Sequence, residues 1–379
     1  MIYKNALITT KDQQFLGWIE VDSQEQIIKS INYGTTDLDG FDCQGNIIMP
    51  AFIDSHVHGG YNLSFNDFNN FDNYQNFLDN LKLEGVCAFV AASVTAPIEV
   101  LNQSLNKIKY LLNYPNQTNL PKMVGWYFEG PFISKSKKGA HEEGLIIPID
   151  EQFLINLKSN LANWPIIITV APEEKNNQDL IEKYQNDFIF ALGHSNASAL
   201  VAKQALKNGI KRITHFYNAM SGFHHSNQAG IINTLFNKEL AKNSLIELIA
   251  DGIHVNPDVI NFTFEHFGAN NLCLVTDALP AKGLPDQSYY LANLEIDKRG
   301  NWFYLANSNV LAGSALKYND LLKIFKKTTN CSWMDLVKLS SYNAARNLNL
   351  ENYYGNLIVD QKALFVIVDH DLNIIKTII

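Results

Sequence analysis

His56-Val57-His58 is an i, i+2 pair closing an apolar stretch, and in a strand that spacing turns both imidazoles to one face. Two imidazoles side by side suit a divalent ion held by nitrogen and carboxylate donors. An HxH pair alone is more often incidental, but Asp54 before it and Gly59-Gly60 after it point to a built site. Glu129 closes the apolar run Tyr127-Phe128 and is followed by Gly130-Pro131. An isolated Glu is usually a surface or capping acid. At the end of a buried strand, however, its charge has to be compensated, and a metal does that. His194 in Gly193-His194-Ser195 and His215 in Thr214-His215-Phe216 also end apolar runs. Either alone reads as a core histidine. With Glu129 they make three protein ligands and leave a coordination position open, the mark of a catalytic ion. Asp277, after Leu274-Val275-Thr276, is the carboxylate that a metal-assisted hydrolase needs to take a proton from water and return it to a leaving amine. For any single Asp the competing reading is a loop residue accepting backbone amides.

These residues need a frame that brings chain-distant strand ends together. Eight near-continuously apolar runs can be counted: Phe52–Ser55, Ala88–Val94, Val124–Glu129, Ile166–Ala171, Phe188–Leu192, Ile213–Phe216, Ile246–Ala250 and Leu272–Thr276. Such runs suit parallel strands buried on both faces. Helical periodicity between them, as over Asn73–Glu84 and Ala197–Asn208, predicts a (β/α)₈ TIM-like barrel. Nearly every run ends in His, Glu or Asp, and Asp251 and His254 follow the seventh. Strand C-termini of such a barrel converge on one face, where active sites sit. Beyond Asp277 the pattern predicts a hairpin of Tyr289–Ile296 and Trp302–Ala306, then helices over Leu316–Thr328 and Ser332–Asn343. Residues 1–49 and 350–379 alternate like short strands and are expected to pair as one discontinuous β-sandwich domain, leaving 50–349 as the barrel.

Several stretches resemble the N-acetylglucosamine-6-phosphate deacetylases of the amidohydrolase superfamily over almost the whole chain. They are Met49–Gly59, Glu129-Gly130-Pro131-Phe132, Gly139-Ala140-His141, Gly193-His194-Ser195, Thr214–Met220, Asp251–Val255, Thr276-Asp277-Ala278 and Leu311-Ala312-Gly313-Ser314. The first is common to many amidohydrolases; Gly-Ala-His, Asn-Ala-Met and Leu-Ala-Gly-Ser are more specific. The resemblance implies Glu129, His194 and His215 as metal ligands, with His56 and His58 completing a second site bridged by Glu129. The cofactor is then one or two divalent cations, zinc first, with iron, manganese or cobalt as alternatives. It implies Asp277 as catalytic acid–base and His141 as donor to the substrate carbonyl or oxyanion. Ala140, His141, Asn218, Ala219, His225, Asp251, His254, Leu311, Ala312 and Gly313 match positions that line the sugar-phosphate site. An amino-sugar phosphate substrate, a homodimer and a cytoplasmic setting are implied too. One departure bears on substrate. The family usually carries an arginine for the phosphate after the Asn-Ala-Met stretch, but this chain reads Phe223-His224-His225-Ser226-Asn227-Gln228-Ala229-Gly230. His224, His225, His254 or a lysine of Lys135–Lys138 is left to replace it. The rival readings are a deacetylase for another N-acetylhexosamine, a cyclic-amide hydrolase, or a barrel that has lost catalysis. Intact ligands and Glu129 in the bridging place count against the last two.

Composition bounds these readings. With 46% apolar and 18% charged residues the chain is an ordinary globular one, and a formal charge of -8 recommends neither nucleic acid nor an anionic membrane as partner. Four scattered cysteines (Cys43, Cys87, Cys273 and Cys331) form no CxxC pair and read as reduced, buried thiols. No signal peptide is visible at Met1–Thr10. No GxGxxG follows a first strand, which disfavours a dinucleotide-binding fold.

Overall fold

In the computed structural model, which describes residues 1–68, 70–115 and 118–379, eight strands form one parallel sheet in sequence order. They are Phe52–Val57, Val86–Ser93, Lys122–Phe128, Ile166–Val170, Ile189–Leu192, Ile210–Ile213, Leu245–Leu248 and Leu272–Leu274. The first and eighth meet through a bridge between Val57 and Ala278, reinforced by His58 N–H donating to Ala278 O at 2.8 Å and Asp277 N–H to His56 O at 3.1 Å. Seven of the eight expected runs are therefore strands of a nearly closed barrel. The sixth lies earlier than expected. It spans Ile210–Ile213, and Thr214-His215-Phe216 leave it as a turn, because His215 takes a positive φ of 26° that no strand accommodates.

Helices Tyr74–Leu83, Ile98–Leu112, Glu151–Leu161, Asn177–Tyr184, Ala199–Lys207 and Pro257–Phe267 cover the barrel, each burying an apolar stripe. Several starts are set locally. Asp150 accepts from Phe153 N–H, Ser198 from Val201 N–H, and Asn256 from Asp258 N–H just ahead of Pro257. Among the described residues no helix is long and apolar enough to cross a membrane. All four cysteines are buried and free.

The region after the eighth strand differs from expectation. Instead of a hairpin there is a four-stranded antiparallel meander: Ser288–Leu291, Leu294–Arg299, Trp302–Leu305 and Leu311–Ser314. The expected Tyr289–Ile296 strand is divided at Ala292, whose φ of 49° makes a tight turn. The meander's last strand docks on the barrel seam through an Ala278–Ser314 bridge. Helix Tyr318–Thr329 follows, then Trp333–Asn347, which widens into a π-helical stretch over Lys338–Tyr342.

Residues 2–50 and 365–378 supply one seven-stranded sheet, in which Ile47–Pro50 pairs with Phe365–Val368 from the far end of the chain. The expected sandwich is thus realised as a single sheet. One face, including Ile8, Ile19, Ile48, Phe365 and Ile367, holds its own core. Residues of the other face, such as Met49, Val366 and Val368, join the barrel core.

One buried ion pair closes the barrel's outer wall. Lys282 Nζ lies 2.7 Å from Glu84 Oε2, and Glu84 also accepts from Tyr61 O–H at 2.6 Å and Tyr318 N–H at 2.7 Å. Both partners are 1% exposed, so losing one strands the other without solvent. Lys282→Met should lower unfolding free energy by about 3–5 kcal/mol, read by chemical denaturation. An unchanged midpoint would show the pair to be dispensable.

Candidate active site

Glu129 leaves the third strand at its C-terminal end and lies between two groups of imidazoles. Its Oε1 is 2.7 Å from His215 Nε2 and 3.2 Å from His194 Nε2. Its Oε2 is 2.9 Å from His58 Nε2, and 3.7 Å from both His56 Nε2 and His141 Nε2. Asp277 faces the second group, with Oδ1 3.2 Å from His58 Nε2 and 3.7 Å from His56 Nε2. All the expected metal-ligand positions therefore converge within hydrogen-bonding reach of one carboxylate or just beyond it. Burial opposes ionisation of Glu129, but the imidazoles around it, His56 foremost, hold its carboxyl well below the usual carboxylate range. For Asp277 burial is likewise outweighed, by the contact with His58 and the charge of His56, and its carboxyl is held at about 2.

Proton placement tests whether this arrangement fits a cation. His194 Nδ1 is 2.9 Å from the Lys137 carbonyl, which can only accept, so a neutral His194 presents a bare Nε2. That lone pair faces a carboxylate oxygen at 3.2 Å and His215 Nε2 at 3.0 Å. The same crowding recurs between His56 Nε2 and His58 Nε2 at 3.2 Å. Acceptors pressed together in this way need protons or a positive ion between them, and a nitrogen–carboxylate set of this kind suits a divalent metal.

His141 is set differently. Thr95 N–H donates to its Nδ1 at 3.2 Å, and Thr95 Oγ1 lies 2.8 Å from the same nitrogen. An accepting Nδ1 puts the ring proton on Nε2, facing the cluster, and burial pulls the ring's pKa down to about 4. A neutral His141 is thus a hydrogen-bond donor at the site. Gly130 makes this approach possible: at φ 87° it lies so close to Thr95 that a Cβ would stand 2.2 Å from Thr95 Oγ1. Backbone strain is present here, with positive φ at His194, His215, Tyr217, Ala219 and Asp277.

The cluster forms the floor of a cavity of about 620 Å³, of a size that takes a small ligand. Its walls include Ala140, His141, Asn218, Ala219 and His254, and the meander contributes Leu311, Ala312 and Gly313. Asp251 is not among the lining residues. It fixes His254, accepting from His254 Nδ1 at 2.7 Å and His254 N–H at 2.8 Å. His225 is also outside the lining; it is exposed and stacks on His224, ring centroids 4.9 Å apart. Lys135, Lys137 and Lys138 stand at the wall. A second cavity, of about 680 Å³, opens at the opposite end of the barrel and touches none of the cluster.

Sequence reasoning passed over Thr95, which sets His141, and the meander residues Asn309 and Val310, which line the cavity. It also passed over Glu247 and Arg212, buried inside strands seven and six. Glu247 carried a signal, a charged residue inside the apolar run Ile246–Ala250, whereas Arg212, beside Lys211 and ahead of the expected sixth run, carried none. Thr95 carried none.

The Amidohydrolase family profile matches residues 47–379. The chain belongs to the amidohydrolase family, among the N-acetylglucosamine-6-phosphate deacetylases. This amidohydrolase is 34% identical over 336 residues to the N-acetylglucosamine-6-phosphate deacetylase of Bacillus subtilis, covering 88% of this chain and 83% of that one. The human protein of the same name is 32% identical over 346 residues, 89% of this chain and 83% of its own. The crystal structure of the Thermotoga maritima deacetylase superposes with a TM-score of 0.86 at 31% identity, covering 100% of this chain and 98% of that one.

If a divalent ion relieves the crowded lone pairs, chelation should lower the melting temperature of this amidohydrolase and excess Zn²⁺, Mn²⁺ or Co²⁺ should restore it. Ion at about a thousand times its Kd is worth about 4 kcal/mol. A melting temperature indifferent to chelator and ion would show that protons alone satisfy the cluster.

Proposed function

We propose that this amidohydrolase hydrolyses the acetamide of N-acetyl-D-glucosamine 6-phosphate to D-glucosamine 6-phosphate and acetate. The observation that carries the reading is Glu129 shared between two imidazole groups, with Asp277 beside one of them at the floor of a sugar-sized cavity. The relatives' activity supports the substrate.

Glu129, His194 and His215 would hold one divalent ion, and His56 and His58 with Glu129 would hold a second, with zinc favoured by the nitrogen-rich donor set. Bound there, such an ion supplies Lewis acidity to the amide carbonyl and to the attacking water. Asp277 accepts the water's proton as its oxygen bonds to the acetyl carbon, then delivers that proton to the nitrogen as the C–N bond breaks. His141 donates from Nε2 to the carbonyl oxygen as it gains negative charge. The wall residues Asn218, Ala219, His254 and Leu311–Gly313 hold the sugar.

The phosphate is met by lysines in place of the missing arginine. Lys135 and Lys137 border the cavity and are in no ion pair among the described residues, whereas Lys138 is 3.8 Å from Glu143. His225 would need a neighbouring subunit to reach substrate, which fits the homodimer we infer alongside a cytoplasmic setting. We also take 1–49 with 350–379 as one unit and 50–349 as the catalytic barrel.

The phosphorylated sugar should be deacetylated with a kcat/KM about 10- to 150-fold above that of neutral N-acetylglucosamine, since one charge-assisted contact is worth about 1.5–3 kcal/mol. Lys137→Met should narrow that ratio. Equal turnover of both sugars would keep the chemistry and overturn the phosphate assignment. Separately, Asp277→Asn should retain bound metal and lose about 10²–10⁴-fold in kcat. Near-normal turnover in that variant would remove Asp277 from the proton path.

A further inference from the structure

From one imidazole of the cluster a line of side chains runs away from the cavity, through the middle of the barrel. His56 Nδ1 lies 2.9 Å from Glu247 Oε2, which also accepts His215 N–H at 3.1 Å. The other oxygen, Oε1, accepts from Arg212 Nε. Arg212 also donates through Nη2 to Ser55 Oγ at 2.5 Å and through Nη1 to Asn347 Oδ1 at 2.9 Å. Glu247 and Arg212 are both 0% exposed. The line thus ends at Asn347, which borders the cavity at the barrel's far end.

This geometry decides where the proton of His56 resides. A carboxylate with one oxygen occupied by a guanidinium can only accept through the other, so His56 carries its proton on Nδ1 and turns a bare Nε2 to the cluster. Nothing comparable holds its neighbour, because His58 Nδ1 has no hydrogen-bond partner among the described residues. His194, in the other group, is fixed independently by the Lys137 carbonyl. The His56–His58 half therefore depends for its ligand tautomer on one carboxylate that touches neither cavity nor substrate.

We propose that Glu247, held in place by Arg212, is the positioning residue that makes the His56, His58 and Glu129 group able to hold a divalent ion. The inference rests on the metal reading above. The competing explanation is that the buried pair merely staples strands six and seven together. The two differ in what Glu247→Gln does. Arg212 needs an acceptor, so the amide oxygen turns to it and the NH₂ faces His56 Nδ1. The ring proton then moves to Nε2, where the ion would bind.

The test counts ions per full-length chain by elemental analysis after loading with Co²⁺ or Zn²⁺ and dialysis, with a melting curve for each variant. Wild type should retain two ions and Glu247→Gln one, its lost ion binding about 10- to 100-fold more weakly. Lys282→Met, which breaks a buried ion pair away from the cluster, should lower the melting temperature yet keep both ions. Should Glu247→Gln fail to fold, the double variant Arg212→Met/Glu247→Leu leaves no lone buried charge and should show the same loss of one ion. A folded Glu247 variant that keeps two ions at wild-type affinity overturns the inference, as does a wild-type chain that holds only one. A wild type that holds none refutes the metal reading itself, and so separates the two failures.

Discussion

A carboxylate buried among five imidazoles is the constraint on which the rest of this barrel is arranged. Removing Glu129 from water is costly unless its charge is met on every side. It is met by His56, His58 and His141 at one oxygen and by His194 and His215 at the other. Those residues come from the C-terminal ends of strands one, five and six, or just beyond them, and from the loop after strand three, so no local element could assemble them. A closed parallel barrel can, because its strand C-termini form one ring. The ring is not relaxed. His194, His215 and Asp277 hold positive φ, at about 1–3 kcal/mol for each such residue, and the near-continuous apolar core beneath them offsets that strain.

The barrel interior is unusual in being polar along one line. Arg212 and Glu247 occupy the centre with no solvent, and together with Ser55 and Asn347 they satisfy one another's hydrogen bonds. Such an arrangement is weak evidence for stability, since apolar replacements often do as well. What an apolar core could not do is hold a proton on a chosen nitrogen of His56. Outside the barrel the same economy appears in the Glu84–Lys282 pair, which joins the segment before strand two to the segment after strand eight. The antiparallel meander then adds to the seam at Ala278–Ser314 and brings Leu311–Gly313 over the mouth.

The eight strands were readable because strands buried on both faces are apolar without alternation, and the separating helices show their own period. His56, His58, Glu129, His194, His215 and Asp277 were readable for a related reason: a charged or titratable residue at the end of such a run has no bland explanation that fits all six. Errors fell where tertiary contacts override local pattern. His215 leaves its strand early because its amide is drawn to Glu247, and Ala292 breaks an apparently continuous strand into two. Asp251, matched to the sugar site by its motif, instead points at His254.

Sequence by itself determined the barrel, the pairing of the two terminal segments, and the residue types that must gather at the strand ends, because each follows from local patterning and from the cost of burying charge. Tertiary structure alone decided which oxygen of Glu129 faces which histidine, which ring nitrogens carry protons, and which lysines border the cavity. Those depend on angstrom-scale placement of side chains from strands far apart in the chain, such as Arg212 against Glu247 and Thr95 against His141. Hydrogen bonds and charge contacts vary steeply over that range, while the hydrophobic pattern that builds the barrel does not.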